Sequence, residues 1–423
     1  MLDISYIREN VELIKDNSRN RGSLIDMKAF LKLDRDRVEH IKKVDELRNK
    51  KNQFKGKPSE TELKRLTTNK LEEESLSKRL AQIEEKYLEL LMQIPNTTHP
   101  KVKISDDEDD NPILESKHKP KKFSFQPKDH VELGKELDLI DFDRATKVSG
   151  SKFFYLKNEA ALIEIALAQY AIKTAIKHGF TPFITPDLAK KDILNAMGYN
   201  PRGESTQVYS IEDTDLCLIG TAEIAMGGYH KDETFSENDL PKKYVAVSHC
   251  FRTEAGSYSK FSKGIFRVHQ FTKVEMFIYT TPDNSEEAHQ EILDIEKEIF
   301  DGLELPYRVI DHCTADLGTP SYRTIDLEAW MPGKPNKDGS MGDWAEITST
   351  SNCTDYQARA LNIKYIDSEG PKRLVHMLNG TAIAMTRPII AILENNQQED
   401  GSIVVPKVLQ EIVGKKIIEK RRD

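Results

Sequence analysis

The strings Phe251-Arg252-Thr253-Glu254 and Arg267-Val268-His269-Gln270-Phe271 bring together residue types that can hold an anion beside an aromatic base. They read as two β-strands joined by a polar loop, 255–264. An arginine at the end of a strand, facing a cleft, suits a phosphate or a carboxylate because its planar fork bonds bidentately. A glutamate two residues on shares its face of the strand and can accept the exocyclic amine of adenine. Phe271 can stack on the purine. Taken as isolated residues, the same pattern also describes a cross-strand surface pair and an ordinary core phenylalanine. His269 invites an acid/base role, but its neighbours suffice for anion chemistry, so a structural role is expected.

Other nucleotide and metal signatures are missing from the sequence. There is no Walker A string, no GxGxxG following a strand and no HExxH. Lys260-Phe261-Ser262-Lys263-Gly264 faintly resembles the lysine loop of class I synthetases, but its His-x-Gly-His partner does not occur. The four cysteines, Cys217, Cys250, Cys313 and Cys353, are far apart and form no CxxC pair. No structural zinc is expected, and a reducing compartment fits.

The elements that must position these residues fall into two regions. Over 423 residues, 38% apolar and 31% charged residues allow a buried core together with an unusually charged surface, as a long solvated helix would give. Leu76, Leu80, Ile83, Tyr87, Leu90 and Ile94 repeat at spacings of four and three, the seam of a coiled coil. A preceding stretch carries Val38, Ile41, Val44 and Leu47 on one side. Gly56-Lys57-Pro58 interrupts the two, and Ser59 with Glu62 reads as a capping box. The region is therefore expected to be an antiparallel helical hairpin. Around its tip, residues 48–65 carry seven bases against two acids in a chain whose net charge is −8. Such a run is either a solvated helix face or a phosphate-backbone contact.

From about residue 125 short β-rich runs (Tyr244–Val247, Phe266–Phe271, Val274–Tyr279) alternate with helical ones (Ala160–Ile176, Glu286–Gly302) without a strict βαβ rhythm. An α+β domain follows, an antiparallel sheet flanked by helices. The expected division is 1–105 for the hairpin-bearing domain, 106–124 for an acidic linker and 125–423 for the second domain. No signal peptide is read at the N-terminus and no run approaches the ~18 apolar residues that span a bilayer. A cytoplasmic protein without membrane contact is expected.

Read together, the segments resemble the seryl-tRNA synthetases, class II aminoacyl-tRNA synthetases, along essentially the whole chain. Phe251 to Ser257 and Arg267 to Glu275 resemble that family's motif 2, and Leu218-Ile-Gly-Thr-Ala-Glu223 its serine-pocket loop. Glu346-Ile-Thr-Ser-Thr-Ser-Asn-Cys-Thr-Asp355 resembles the metal and ATP segment, and Asn379 to Arg387 with Leu393-Glu-Asn resembles motif 3. Gly179-Phe180 through Pro186 has the glycine and proline of motif 1, the usual dimer interface, and the hairpin matches the tRNA-binding arm.

The resemblance implies activation of L-serine with ATP and transfer to tRNA(Ser) by a homodimer, and leaves open whether tRNA(Sec) is also charged. It implies that Thr221 and Glu223 hold the substrate ammonium, with Ala222 between them in the serine site, and that Glu275 and Thr381 meet the serine ammonium and hydroxyl. Arg252 would bind the α-phosphate and the substrate carboxylate, and Arg387 the γ-phosphate. Glu346 and Ser349 would offer oxygens to Mg2+, a hard cation. Thr253, Glu254, Val268, Phe271, Ile347 and Thr348 would complete the ATP site, with Phe271 and the backbone near Val268 enclosing adenine. Arg252, Glu254 and Arg387 would carry catalysis by position and charge, since adenylate formation needs no protein nucleophile. Lys50, Lys51, Lys55 and Lys57 would contact the tRNA backbone.

Motif 3 departs from the family pattern at Ala382 and Thr386, where glycines are usual, and Ala315 stands where glycine is common; each adds a Cβ and requires an ordinary φ. Two other readings use the same residues: an adenylate-forming ligase that loads a carrier protein, and a non-catalytic RNA-binding scaffold. The basic hairpin argues against the first. Retention of Arg252, Glu254, Glu275, Glu346 and Arg387 argues against the second.

Overall fold

The computed structural model describes residues 1–52, 59–199, 207–255 and 261–421. The chain divides into two compact units, Met1–Thr97 and Thr98–Asp423.

In the first unit, helices α1 (Met27–Asn52) and α2 (Glu60–Leu91) pair along their length, following two short helices, Ile4–Glu9 and Val11–Asn20. The expected capping box opens α2: Ser59 Oγ accepts from the Glu62 amide at 3.3 Å, and Glu62 accepts from the Ser59 amide at 2.8 Å. Val44, Leu47, Ile83 and Tyr87 are buried between the helices, whereas Leu63 and Leu71 nearer the tip are exposed. Phe30 stacks on Tyr87 with ring centroids 5.4 Å apart, and the Arg37 guanidinium lies 4.8 Å from the same ring. Asp34, buried beside them, receives a bidentate pair of bonds from Arg8 at 2.8 and 2.9 Å.

The second unit is built on an eight-stranded sheet. Its strands in chain order are β1 (Ile113–Lys117), β2 (Thr181–Ile184), β3 (Lys242–Phe251), β4 (Gln270–Thr280), β5 (Tyr307–Asp311), β6 (Arg323–Pro335), β7 (Met341–Asn352) and β8 (His376–Ala384). Their order across the sheet is β1-β5-β6-β7-β8-β4-β3-β2. Every pairing is antiparallel except the edge pair β2–β3. This is the α+β architecture expected from the sequence. The acidic stretch at 106–110 includes a 3-10 turn, Glu108–Asp110, and runs on into edge strand β1.

Helices α3 (Asn158–Lys177) and α5 (Ser285–Gly302) cover one face of the sheet. Ala160, Ile163, Leu167 and Ala171 form the buried stripe of α3, and Ala288, Ile292, Ile295 and Ile299 that of α5, both at helical spacing. Strand alternation sends Val274, Met276 and Ile278 of β4 into this core and turns Phe271, Lys273 and Glu275 to the opposite face. At Gly380 a Cβ would stand 2.2 Å from Ile292, so glycine permits α5 to lie against β8. Gly179, at φ +81°, ends α3 and turns the chain into β2, with the Phe180 amide reaching back to the Ala175 carbonyl at 3.2 Å.

One sequence expectation fails here. The run 266–271 is not a strand of its own: β3 stops at Phe251, and β4 is continuous from Gln270. The period-two argument for Arg252 and Glu254 therefore does not hold. Both lie in the loop past β3, with Glu254 in the left-handed region at φ +52°.

Candidate active site

The sheet face away from α3 and α5 lines a cavity of about 420 Å³. Strand β4 contributes Phe271, Lys273 and Glu275, and β8 contributes Asn379 and Thr381. Strand β7 adds Glu346, Ile347, Thr348, Ser349 and Ser351. The loop beyond β3 brings Arg252 and Glu254, while Phe266, Arg267 and Val268 come from the approach to β4. Helix α4 (Ala222–Gly228) supplies Glu223, and helix α6 (Thr386–Asn395) supplies Arg387 in its first turn.

At one end are two buried carboxylates. Glu223 is held on both oxygens: the Tyr199 hydroxyl donates at 2.8 Å and the Gln357 amide at 2.9 Å. Thr221 caps α4, its hydroxyl accepting from the Glu223 amide at 3.3 Å. Glu275 stands directly opposite Thr381 in the β8–β4 register. Burial pushes the Glu275 carboxyl above its ordinary range; Lys273, paired with it, opposes that shift, and Glu223 adds to it.

Arg252 forms the middle of the site. Its amide donates to the His269 carbonyl at 3.0 Å, and His269 Nδ1 donates to the Arg252 carbonyl at 3.0 Å. Its Nε lies 3.4 Å from the Gly220 carbonyl, and the guanidinium sits 5.2 Å from the centre of the Phe271 ring. His269 thus positions backbone, in line with the structural role expected for it.

At the far end Arg387 donates to the Glu346 carbonyl at 2.8 Å, meets the Glu346 carboxylate at 3.1 Å and lies over Phe266 at 4.8 Å. The Glu346 side chain is about half exposed, and against the desolvation imposed by the cavity wall Arg387 holds its carboxyl below the ordinary value. Arg267 faces Glu254 at 3.6 Å. Behind this wall Ser349 is paired across strands with Asp326, a buried carboxylate that meets His312 Nε2 at 2.9 Å.

Twelve of the residues singled out in the sequence line this one cavity: Glu223, Arg252, Glu254, Val268, Phe271, Glu275, Glu346, Ile347, Thr348, Ser349, Thr381 and Arg387. Thr221, Ala222 and Thr253 do not line it. The first two open α4, and Thr253 donates its amide to the Gln207 carbonyl at 3.1 Å. On the hairpin Lys50 is exposed; Lys55 and Lys57 lie outside the described residues, as does the side chain of Lys51. Sequence reasoning missed Tyr199, Gln357 and Lys273. Lys273 shares the pocket face of β4 with Glu275, so period-two spacing was its available signal. Tyr199 and Gln357 reach Glu223 from 24 and 134 residues away, with no local signal.

The departures at motif 3 are accommodated. Ala382 sits at a β-bulge between Thr381 and Ile383, with its side chain in the core beneath the helices. Thr386 does line the cavity. None of Ala315, Ala382 and Thr386 takes a left-handed φ.

Residues 1–98 match the seryl-tRNA synthetase N-terminal domain, and residues 207–396 the tRNA synthetase class II core domain (G, H, P, S and T). The serine–tRNA ligase of Treponema denticola is 49% identical over 97% of this chain and 98% of its own. That of Rubrobacter xylanophilus is 46% identical over 99% of each. The crystal structure of seryl-tRNA synthetase from Pyrococcus horikoshii complexed with ATP superposes with a TM-score of 0.87, at 39% identity, covering 100% of both chains. The cytoplasmic enzyme of Naegleria fowleri in complex with AMP gives 0.83 at 31% identity, covering 100% and 99%. By sequence over its full length and by fold, the chain belongs to the seryl-tRNA synthetase family, with a class II catalytic core.

Proposed function

We propose that this chain activates L-serine with ATP to seryl-adenylate and transfers the seryl group to the 3′ end of tRNA(Ser). The observation that carries the reading is the convergence of two buried carboxylates, Glu223 and Glu275, and two arginines, Arg252 and Arg387, on one cavity of about 420 Å³. A free amino acid brings an ammonium and a carboxylate, and ATP brings a run of anions. The cavity offers a complementary charge for each.

In this reading Glu223, anchored through Thr221 and Ala222 at the start of α4, takes the substrate ammonium. Glu275 and Thr381 complete the serine subsite. Arg252 holds the serine carboxylate and the α-phosphate together, two anions that otherwise repel. Phe271 and Val268 enclose adenine, whose exocyclic amine is met in the Thr253–Glu254 loop. Arg387 takes the γ-phosphate. The substrate carboxylate oxygen forms a bond to the α-phosphorus as the bond to pyrophosphate breaks. The ribose hydroxyl of the tRNA then attacks the seryl carbonyl, and AMP leaves. Position and charge supply the catalysis, in accord with a site that holds arginines and carboxylates.

The donor set of Glu346 and Ser349, a carboxylate and a hydroxyl, fits Mg2+, which favours oxygen ligands and phosphates. Among the described residues no group of three or more His, Cys, Asp or Glu is arranged to hold a metal alone, so phosphate oxygens would complete the shell. The ion would neutralise charge on the leaving pyrophosphate, with Ile347 and Thr348 keeping the two ligands in register on β7.

The hairpin serves as the tRNA arm, with Lys50, Lys51, Lys55 and Lys57 on the phosphate backbone. A homodimer is supported by the apolar side chains left exposed on α3 and edge strand β2, including Ile165, Ile176 and, at 90% exposure, Ile184. No described helix is long and apolar enough to cross a membrane. A cytoplasmic location fits a tRNA substrate.

The test is serine-dependent exchange of labelled pyrophosphate into ATP, with alanine, threonine and glycine as controls, followed by charging of tRNA(Ser) and tRNA(Sec). Strong exchange with serine alone is expected. Exchange without charging of any tRNA would favour a carrier-protein ligase, and tRNA binding without exchange a scaffold.

A further inference from the structure

Lys273 is 6% exposed and has no assigned part in the reaction, yet it sits within the cavity beside its most deeply buried carboxylate. Its ammonium pairs with Glu275, itself 1% exposed, and donates to Thr381 Oγ1 at 3.4 Å. Glu275 and Thr381 are cross-strand neighbours, so one ammonium spans both. A lysine buried at this depth is rare unless its charge is matched.

We propose that Lys273 is the positioning residue of the hydroxyl subsite: its buried ammonium bridges Glu275 and Thr381 and fixes the first as a hydrogen-bond acceptor and the second as a donor. The proposal rests on the serine reading above. An ammonium has donors only, so Thr381 Oγ1 accepts from it and turns its own proton toward the cavity. A carboxylate has acceptors only, so Glu275 can take the proton of a substrate hydroxyl for as long as it stays ionised.

Ionisation is the point at risk. Burial and the like charge of Glu223 push Glu275 toward its neutral form, whereas Lys273 and Arg252 oppose this. The other titratable groups that interact with it are Tyr199 and Cys250, both pushed up by burial, and Glu296, raised well above the carboxylate range by burial. Among the described residues, Lys273 and Arg252 are the groups that favour its charged form. A substrate hydroxyl then meets one acceptor and one donor. Alanine leaves both unpaired, which is the strong form of rejection.

The test uses the full-length enzyme in pyrophosphate exchange, comparing Lys273→Met and Lys273→Arg with wild type on serine and alanine. K273M is expected to lose ~10²-fold in kcat/KM for serine, mainly through the KM for serine, with a far smaller change in the KM for ATP and for alanine activation. The preference for serine over alanine shrinks in step. K273M should also gain a rise in serine activation with pH across the neutral range, as Glu275 is re-ionised, while K273R should show none. In an E275Q background K273M should cost little, because the pair acts as a unit. That double variant buries no unpaired charge and serves where K273M alone does not fold.

Equal losses on serine and alanine with KM for ATP rising alike, no new pH dependence, or a full additive loss in the E275Q background would overturn the proposal. Absence of serine-dependent exchange in the wild type would instead sink the reading on which it rests.

Discussion

His269 and Arg252 hold each other by the backbone: the Arg252 amide donates to the His269 carbonyl at 3.0 Å, and His269 Nδ1 returns a bond of 3.0 Å to the Arg252 carbonyl. The loop that carries Arg252 leaves β3 one residue earlier, so this exchange replaces the ladder that ended at Phe251. Only an Nδ1 that carries its proton can make the second bond, because a carbonyl can only accept.

An amide side chain can replace that donor and no acid/base group is lost with the ring. H269N is therefore expected to keep near-wild-type exchange. H269A should lose about tenfold in kcat/KM, ~1.4 kcal/mol, with the shape of the pH profile unchanged. If both variants lose activity equally and the pH profile changes, His269 exchanges a proton in the reaction.

Glu223 is oriented by Tyr199 and Gln357, two contacts that should be separable from ATP binding. Y199F and Q357L each remove one donor to a buried carboxylate. Each is expected to raise the KM for serine about tenfold and leave the KM for ATP unchanged, measured by exchange with one substrate varied at a time. A matching rise in both KM values would mean that the cavity as a whole has loosened.

These contacts also show how far the sequence was legible. Caps and heptads are local, so the capping box at Ser59 could be read in advance, whereas the set of twelve residues that meet in one cavity came from the resemblance of ordered strings such as Asn379 to Arg387 to a known family. Glu254 was assigned its face by strand periodicity, which does not apply beyond Phe251. It reaches the same cavity from a left-handed turn. Tyr199 and Gln357 depend on how α4, the short helix Tyr356–Leu361 and the chain around residue 199 meet in space, and spacing along the chain cannot report that. The partnership of Asp326 with His312 was hidden for the same reason, since it forms between a loop and a strand.

His312 lies between Asp316 and Asp326, at 3.3 and 2.9 Å, and although burial works against the charged ring, those carboxylates raise it to about 10 from the ordinary 6.5. A histidine raised on folding contributes stability that is complete below pH 6.5 and is lost as pH climbs through about 10. Denaturant unfolding of the wild type should show this decline, and H312Q should flatten it. H312A leaves Asp326 buried without its partner and should cost ~3–5 kcal/mol near neutral pH. Equal slopes for wild type and H312Q across that window would mean that the ring is not charged in the folded protein.

On the hairpin, not every base is available to an RNA. Arg48 is paired with Glu73 at 3.0 Å, whereas Lys50 and Arg65 are exposed and Lys64 meets Glu60 only at 3.9 Å on an exposed helix face. Replacing Lys50, Lys64 and Arg65 together with Gln is expected to weaken tRNA binding and to lower the slope of log K against log salt by ~0.7–0.9 for each phosphate contact removed. Serine-dependent exchange should be unchanged, because the described residues that line the catalytic cavity all lie within 197–387. R48Q should alter the slope less than the exposed bases do, since its guanidinium is already committed to Glu73. Unchanged tRNA affinity and salt slope in the triple variant would assign these bases to a solvated helix surface. Loss of exchange alongside intact tRNA binding would show that this end of the hairpin acts on the catalytic unit.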